Sequence, residues 1–505
     1  MSTKVHTDIR RYLPKLAQVA LACSLALAHS AWAAFNSGST GADGPLNPTV
    51  NFDVQVPQSG ILNYTSVNIP TGVTVTFRKN TTNSPVVLLA SGDVTIIGIL
   101  DVRGKSSVSV GASGNGNIGD DGIPGDGGPG GYSGGTGGRP GVAAADRSGG
   151  SGLGPGQGGY GAHSLFGGTN YSTGGGGAGF AVAGATGFVN GSAPGLEGIA
   201  YGSSTLLPLV GGSGGGGGAG GSAFAGSGGG GGGGAILIAA SGTVTLTGSV
   251  LANGGNSGDE SGQGTGGTGG GGSGGAIRIV ATTIAGNGPL SANGGTVGAA
   301  TGAGGCGAVT FPCFDAGGAG AVGRIRLEAE NFTRTATSTP AHTFSAPGTV
   351  FVAGLPTLRI TSVAGTTAPA TPTGIADITL PTTTTQPVTI AFETTGVPVG
   401  NNVKLTVVPA YGAPVTAVSN ALSGSTATAN STATVTLPTG PSSLTAQTTY
   451  TITVAMGKAL SMFAQGEVVE RVAVVANPGK ENAYKLITVT GKEFEVALAR
   501  LAGVI

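Results

Sequence analysis

The sequence predicts an all-β chain: a parallel β-helix (solenoid) with long glycine-rich, polyglycine-II-like excursions, then an immunoglobulin-like β-sandwich and a small C-terminal αβ segment. Three observations predict it. Residues 86–104, VVLLASGDVTIIGILDVRG, align without a gap on residues 236–254, ILIAASGTVTLTGSVLANG, so that Ser91, Gly92 and Gly98 fall on Ser241, Gly242 and Gly248. The chain holds 103 glycines in 505 residues, massed in belts between these repeats. From residue 355 onward glycine becomes sparse and Thr, Val, Pro and Ala take over.

The first 33 residues read as a signal peptide. Lys4, Arg10, Arg11 and Lys15 form a basic start, Val19 to Ala28 an apolar run, and Ala31-Trp32-Ala33 a small-x-small cleavage pattern. The apolar run is too short for a permanent anchor. Without the leader, 18 of the 22 Lys and Arg remain against 21 of the 22 Asp and Glu. A balance near −3 argues against nucleic acid and against electrostatic membrane binding as partners. No later stretch reads as a transmembrane anchor, so the mature chain is expected to be secreted or held at the cell surface.

Residues 34–103 are expected to form the N-terminal coils and 235–354 further coils with glycine-rich loops. Each repeat holds three short apolar stretches separated by Gly or Ser-Gly. Val244 and Leu246 alternate with Thr243, Thr245 and Thr247, the two-residue period of a strand with one buried face. Three strands and two tight bends in about twenty residues describe one coil of a stacked solenoid. Residues 274–295 give a third repeat with one deletion, 323–330 a fragment of a fourth, and Ile61 to Asn80 the same alternation upstream. A plain β-sandwich also accommodates such repeats.

These features resemble secreted, glycine-rich bacterial surface proteins with a pectate-lyase-like or haemagglutinin-like β-helix. The resemblance rests on G-x-V-T-[IL]-x-G at Gly92–Gly98 and Gly242–Gly248 and on Gly-Gly-Ala-Ile at 233–236 and 274–277. It implies architecture more than chemistry, because such folds host both adhesins and enzymes.

Residues 104–234 form the longest belt. GDDGIPGDGGPGGYSGGTGGR, residues 119–139, is seven Gly-x-y triplets. Residues 211–234 contain 17 Gly in 24, and fixing that stretch costs on the order of 10–15 kcal/mol beyond what alanine would. Without side chains to bury, such a belt is either disordered or ordered through backbone hydrogen bonds between closely packed segments. Glycine every third residue suits the second case, since a polyproline-II strand turns once per three residues. Flexible belts and a collagen triple helix remain the alternatives. Tyr132, Tyr160, Phe166, Tyr171 and Phe180 punctuate the belt, either covering its edge or contacting sugars and other surfaces.

Cys306 and Cys313 are a candidate short-loop disulfide in an exported chain. Catalytic motifs fail on inspection. Gly131-Tyr132-Ser133-Gly134-Gly135 satisfies G-x-S-x-G without the strand and helix that a nucleophile elbow needs. Asp120-Asp121 matches part of a pectin-hydrolase pattern with no companion motif, and Asp93 and Asp101 face Thr243 and Leu251 in the next repeat, not further carboxylates. No catalytic residue, cofactor or metal site is assigned.

Residues 355–457 carry short alternating strands at the spacing of an immunoglobulin-like sandwich, and 458–505 a charged αβ segment. The expected role is structural or adhesive, at the cell surface or in extracellular matrix, through glycine belts and β-helix faces that meet other copies or polysaccharide. A carbohydrate-active β-helix enzyme and an ice-binding protein with flat threonine rows are the rival readings.

Overall fold

The computed structural model describes residues 34–505 except 111–120, 144–145, 167–168, 188–194, 222, 260–265, 300–315, 352–355, 371, 373–375, 450, 455–459, 461–462, 476–482, 489 and 498–505. The fold is all-β. The first strands are β1 (Phe52–Gln55), β2 (Ile61–Tyr64), β3 (Val67–Ile69), β4 (Thr74–Arg78), β5 (Val86–Ala90), β6 (Val94–Ile96) and β7 (Ile99–Asp101). A hairpin, β8 (His163–Phe166) and β9 (Thr169–Ser172), interrupts the long belt. The repeats then resume with β10 (Ala235–Leu246), β11 (Ser249–Leu251), β12 (Ala276–Ala285), β13 (Leu290–Ser291), β14 (Arg324–Phe332) and β15 (Thr343–Ser345).

These strands make two parallel sheets. One runs β1-β4-β7-β11-β13; the other runs β15-β14-β12-β10-β5-β2, with β3 and β6 alongside. The strand register is the repeat alignment itself: Ile236 faces Val86, Val244 faces Val94 and Ser249 faces Ile99. In the third repeat Ala240 faces Ala281 and Thr243 faces Thr283, so the deletion falls where Thr282 replaces Ser241-Gly242. Residues of one parity point inward and stack from repeat to repeat. Leu62, Leu88, Ile238, Ile279 and Leu327 form one such ladder, and Val67, Val94, Val244 and Ile284 another, all buried. Full burial of each aliphatic side chain contributes on the order of 1.5–3 kcal/mol. At the bends, side chains of one repeat cap amides of the next. Asp93 accepts from the Thr243 N–H at 2.7 Å, Asn253 from Asn293 at 2.8 Å and Asp259 from Ala299 at 2.7 Å.

The glycine belts are ordered by their own backbones. Residues 211–221 are buried, and their hydrogen bonds rotate with a period of three. The amides of Gly212, Gly215 and Gly218 donate to the carbonyls of Gly233, Gly230 and Ser227. Those of Gly214, Gly217 and Gly220 donate to Leu153, Gly150 and Arg147, and those of Gly216 and Ala219 to Gly176 and Thr173. The carbonyls accept in the same rhythm: Gly212, Gly215 and Gly218 from Tyr132, Gly135 and Gly138; Gly214 and Gly217 from Gly158 and Gly161; Gly216 and Ala219 from Gly270 and Gly267. One segment therefore touches six neighbours. Glycine is required by space: a Cβ on Gly216 or Gly217 would overlap the carbonyl oxygen of Gly159 or Thr136. The triplet run keeps its phase through a Gly128-Pro129-Gly130-Gly131 turn, where the Gly131 amide bonds the Gly128 carbonyl at 2.7 Å and Gly130 has φ of 77°.

A covered outer face joins the parallel sheets to their surroundings. Phe180, Tyr201 and Leu206 wedge against Ala235 and Ala276 where the glycine segments meet the sheet. Farther along, Arg278 and Glu328 form a buried bidentate pair at 2.9 and 3.0 Å. Arg326 adds a third charge at 2.7 Å, and the Gly348 amide donates to the same carboxylate at 2.8 Å. Burial alone raises the Glu328 carboxyl. The hydrogen bond and charge of Arg278, helped by Arg326 and Gly348, outweigh that and hold it below the ordinary carboxylate range.

The C-terminal strands are β16 (Thr357–Val363), β17 (Thr366–Thr367), β18 (Val388–Thr395), β19 (Val403–Pro409), β20 (Val415–Val418), β21 (Ser423–Ser425), β22 (Thr428–Val435) and β23 (Ser442–Thr448), followed by β24 (Thr451–Val454), β25 (Val469–Val475), β26 (Ala483–Thr488) and β27 (Glu493–Ala497). Antiparallel sheets β17-β16-β18-β22-β21 and β20-β19-β23 share a core of Ile390, Phe392, Val403, Leu405 and Val407. The sequence reading places residues 451–454 with these sheets. They pair instead with β25, in a separate antiparallel sheet β24-β25-β26-β27. Among the described residues of the last segment the strands are β25, β26 and β27, with Leu460 and Phe463 in 3-10 conformation; 458–459, 461–462, 476–482, 489 and 498–505 lie outside the described residues.

Candidate functional site

A concavity open to solvent lies, among the described residues, where the β1-β4-β7-β11-β13 sheet meets the first glycine segments. It encloses about 880 Å³. Outward-facing residues of successive strands build its floor: Asp53 of β1 lies beside Thr76 of β4, and Thr76 beside Asp101 of β7. Two residues farther along the chain stand Arg78 and Arg103, so cation and carboxylate sit one above the other on the pleat. Arg78 pairs with Asp53 at 2.8 Å, and Thr76 donates to the same carboxylate at 3.1 Å. Arg103 pairs with Asp101 at 2.7 Å, which raises the guanidinium still further.

The glycine segments form the other wall. Lys79 reaches across to donate to the Gly131 carbonyl at 2.9 Å. Burial lowers its ammonium pKa, and the charge of Asp126 partly opposes this. Lys105, Asn253, Asn256 and Asn293 complete the lining. The lining thus carries four cations, Arg78, Lys79, Arg103 and Lys105, against three carboxylates, Asp53, Asp101 and Asp126. A polar cleft of this kind offers donors and acceptors in rows one strand apart, roughly 4.8 Å. No three His, Cys, Asp or Glu side chains come together as a metal cluster among the described residues.

The residues singled out in the sequence scatter. Phe180 is fully buried, with its ring 4.8 Å from that of Tyr201, and cannot contact an external surface. Its place is fixed by the apolar wedge between glycine segments and sheet. Tyr132 and Tyr160 are half-buried, and burial raises the Tyr132 hydroxyl. Phe166 and Tyr171 lie on β8 and β9, but their side chains fall outside the described residues, as do Cys306, Cys313 and Asp120. Asp121 is buried. Asp93 and Asp101 serve a bend amide and an ion pair.

Sequence reasoning missed the cleft. Its charged residues come from three strands and a glycine segment, and only the alternating Asp53, Arg78, Asp101 and Arg103 hinted at a shared face. Neither family models, curated proteins nor solved structures gave a match to this chain. No helix among the described residues is long and apolar enough to cross a membrane.

Proposed function

We propose that the chain is an exported structural or adhesive surface protein. Its parallel repeats form a β-helix braced by a polyglycine-II-like lattice, and immunoglobulin-like and smaller β modules follow as spacers or binding heads. The observation that carries this reading is the six-neighbour hydrogen bonding of residues 211–221. That arrangement holds residues 211–221 and the six segments around them in one backbone-bonded framework. Because residues 211–221 are buried, contacts with the outside fall to the outward sheet faces, the polar cleft and the exposed rims of the belts, such as Leu196 and Ile199.

The cleft supports polysaccharide as the partner. Paired Arg and carboxylate groups with Asn amides suit the hydroxyls and acid groups of a sugar chain. Retention of the purified protein on immobilised polysaccharides tests this, with reducing ends and unsaturated sugars assayed in the same samples. The expected result is retention without release of product, weakened by Arg78→Ala with Arg103→Ala. Product release would favour a carbohydrate-active enzyme, and the absence of retention on any cell-surface polysaccharide would remove the adhesive reading.

A further inference from the structure

Residues 35–46 cross the outer face of the larger parallel sheet from β14 to β2, along one row of its register. In that row Tyr64 lies beside Ala90, Ala90 beside Ala240, Ala240 beside Ala281 and Ala281 beside Ala329. The segment bonds to the row from end to end. The Phe35 amide donates to Oε1 of Glu330 at 2.7 Å and the Ser37 amide to Oγ of Ser241 at 3.0 Å. The Ser37 and Ser39 hydroxyls donate to the carbonyls of Ala90 and Tyr64, both at 2.7 Å. The Phe35 ring packs on Leu89, Leu237, Ala239 and Val280, and Ser37 is 1% exposed. Leu46 closes the far end by pairing with Val67 of β3. The segment is a strap across the repeats.

Its first anchor is unusual. Glu330 is exposed and accepts the Phe35 amide, and no Lys or Arg pairs with it among the described residues. An uncharged amide oxygen would accept that N–H as well; what the carboxylate adds is a charge. Ala34 is exposed, and its nitrogen stands three bonds before that of Phe35, at most about 4 Å away.

We propose that the Ala33–Ala34 bond is a processing site whose product is the latch of this strap: the new α-ammonium of Ala34 pairs with Glu330. This rests on the exported reading above. Two independent features meet at that bond. The sequence sets Ala31-Trp32-Ala33 before it, and the fold sets the first bond of the strap, with a carboxylate lacking a cation, directly after it. Water adds across the amide under a peptidase of the export route. The leader departs with a carboxylate, and the chain keeps an amine that takes up a proton at neutral pH. Charge-assisted pairing then fixes the start of the strap over β14.

Intact mass of the protein recovered outside the cells that express it tests the processing site, and acylation of the Ala34 amine, read on the N-terminal peptide, tests the latch. The recovered mass is expected to begin at Ala34. Glu330→Gln still accepts the Phe35 amide, and is expected to speed acylation about two- to fivefold near neutral pH, because a paired ammonium yields its proton less readily. Melting curves verify that the variant is folded. With Gly-Ser added ahead of Ala34, the displaced amine is expected to react at one rate whether residue 330 is Glu or Gln. An acylation rate unchanged by Glu330→Gln in the chain that begins at Ala34 would overturn the latch. External protein that begins at another residue would overturn the processing site and leave the exported reading standing. Protein kept inside the cells with residues 1–33 attached would remove both. Faster acylation of Glu330→Gln in a chain retained on no polysaccharide keeps this inference and removes the adhesive part of that reading.

Discussion

The parallel sheets and the glycine lattice solve one problem by opposite means. In the sheets, ladders such as Leu88–Ile238–Ile279 are held by apolar side chains, and the backbone bonds simply follow the strands. In the lattice there is almost no side chain to bury, and order comes from amides such as Gly215, Gly217 and Gly216 turning to three different neighbours in succession. A hydrogen bond contributes only about 1 kcal/mol net, against an ordering cost for glycine of about 0.5–1 kcal/mol beyond alanine. The lattice therefore balances only if nearly every buried amide is satisfied. A core tolerates a lost methyl; a lattice of this density does not tolerate a gained one.

Substitutions sharpen that contrast. Gly217→Val drives side-chain atoms into the Thr136 and Gly135 carbonyls, and a loss of about 4 kcal/mol or more is expected, read as a collapse in folded yield or melting temperature. Glu328→Gln in the covered sheet face leaves Arg278 buried and short of its counter-charge, at a cost of about 3 kcal/mol in denaturant melts. The same pair sets an acid response. Because the Glu328 carboxyl is held below its unfolded value, its contribution is full at neutral pH and fades as pH falls below about 4.5. The Gln variant is expected to show a flatter loss of stability over that acid range; an acid profile identical to wild type would contradict the assignment.

Milder changes test the other side. Ile238→Val removes one methylene from a buried ladder and is expected to cost about 1 kcal/mol in chemical denaturation. Gly72→Ala sits at a bend with φ of 80° and nothing within 4 Å of the added methyl. Only backbone strain opposes it, and a melting shift equivalent to about 1 kcal/mol or less is expected. Were Gly72→Ala as damaging as Gly217→Val, glycine conformation and not close approach would explain the belts.

The sheets were legible because their signal is local and repeated. The ungapped alignment of 86–104 on 236–254 is the strand register, and the single deletion in the third repeat is the bulge at Thr282. The lattice was legible as a three-residue period but not as a set of neighbours, since glycine carries no mark of what it touches. That Gly216 bonds Gly176 and accepts from Gly270 is a fact of topology alone. Phe180 was ambiguous for a related reason. A lone aromatic in glycine-rich text looks exposed, yet it fills the apolar wedge against Tyr201, Ala235 and Ala276. The cleft was hidden because Arg78 and Lys79 belong to one repeat and Arg103 to the next, and they acquire a common wall only when residues 126–131 fold back over them.

Hydrogen–deuterium exchange across residues 211–221 tests the central claim most directly. Amides that donate to six-neighbour carbonyls in a buried segment are expected to exchange as slowly as those of Ile238 and Ile279 in the sheet interior. Exchange at the rate of an unfolded glycine peptide, while the sheet amides stay protected, would contradict it.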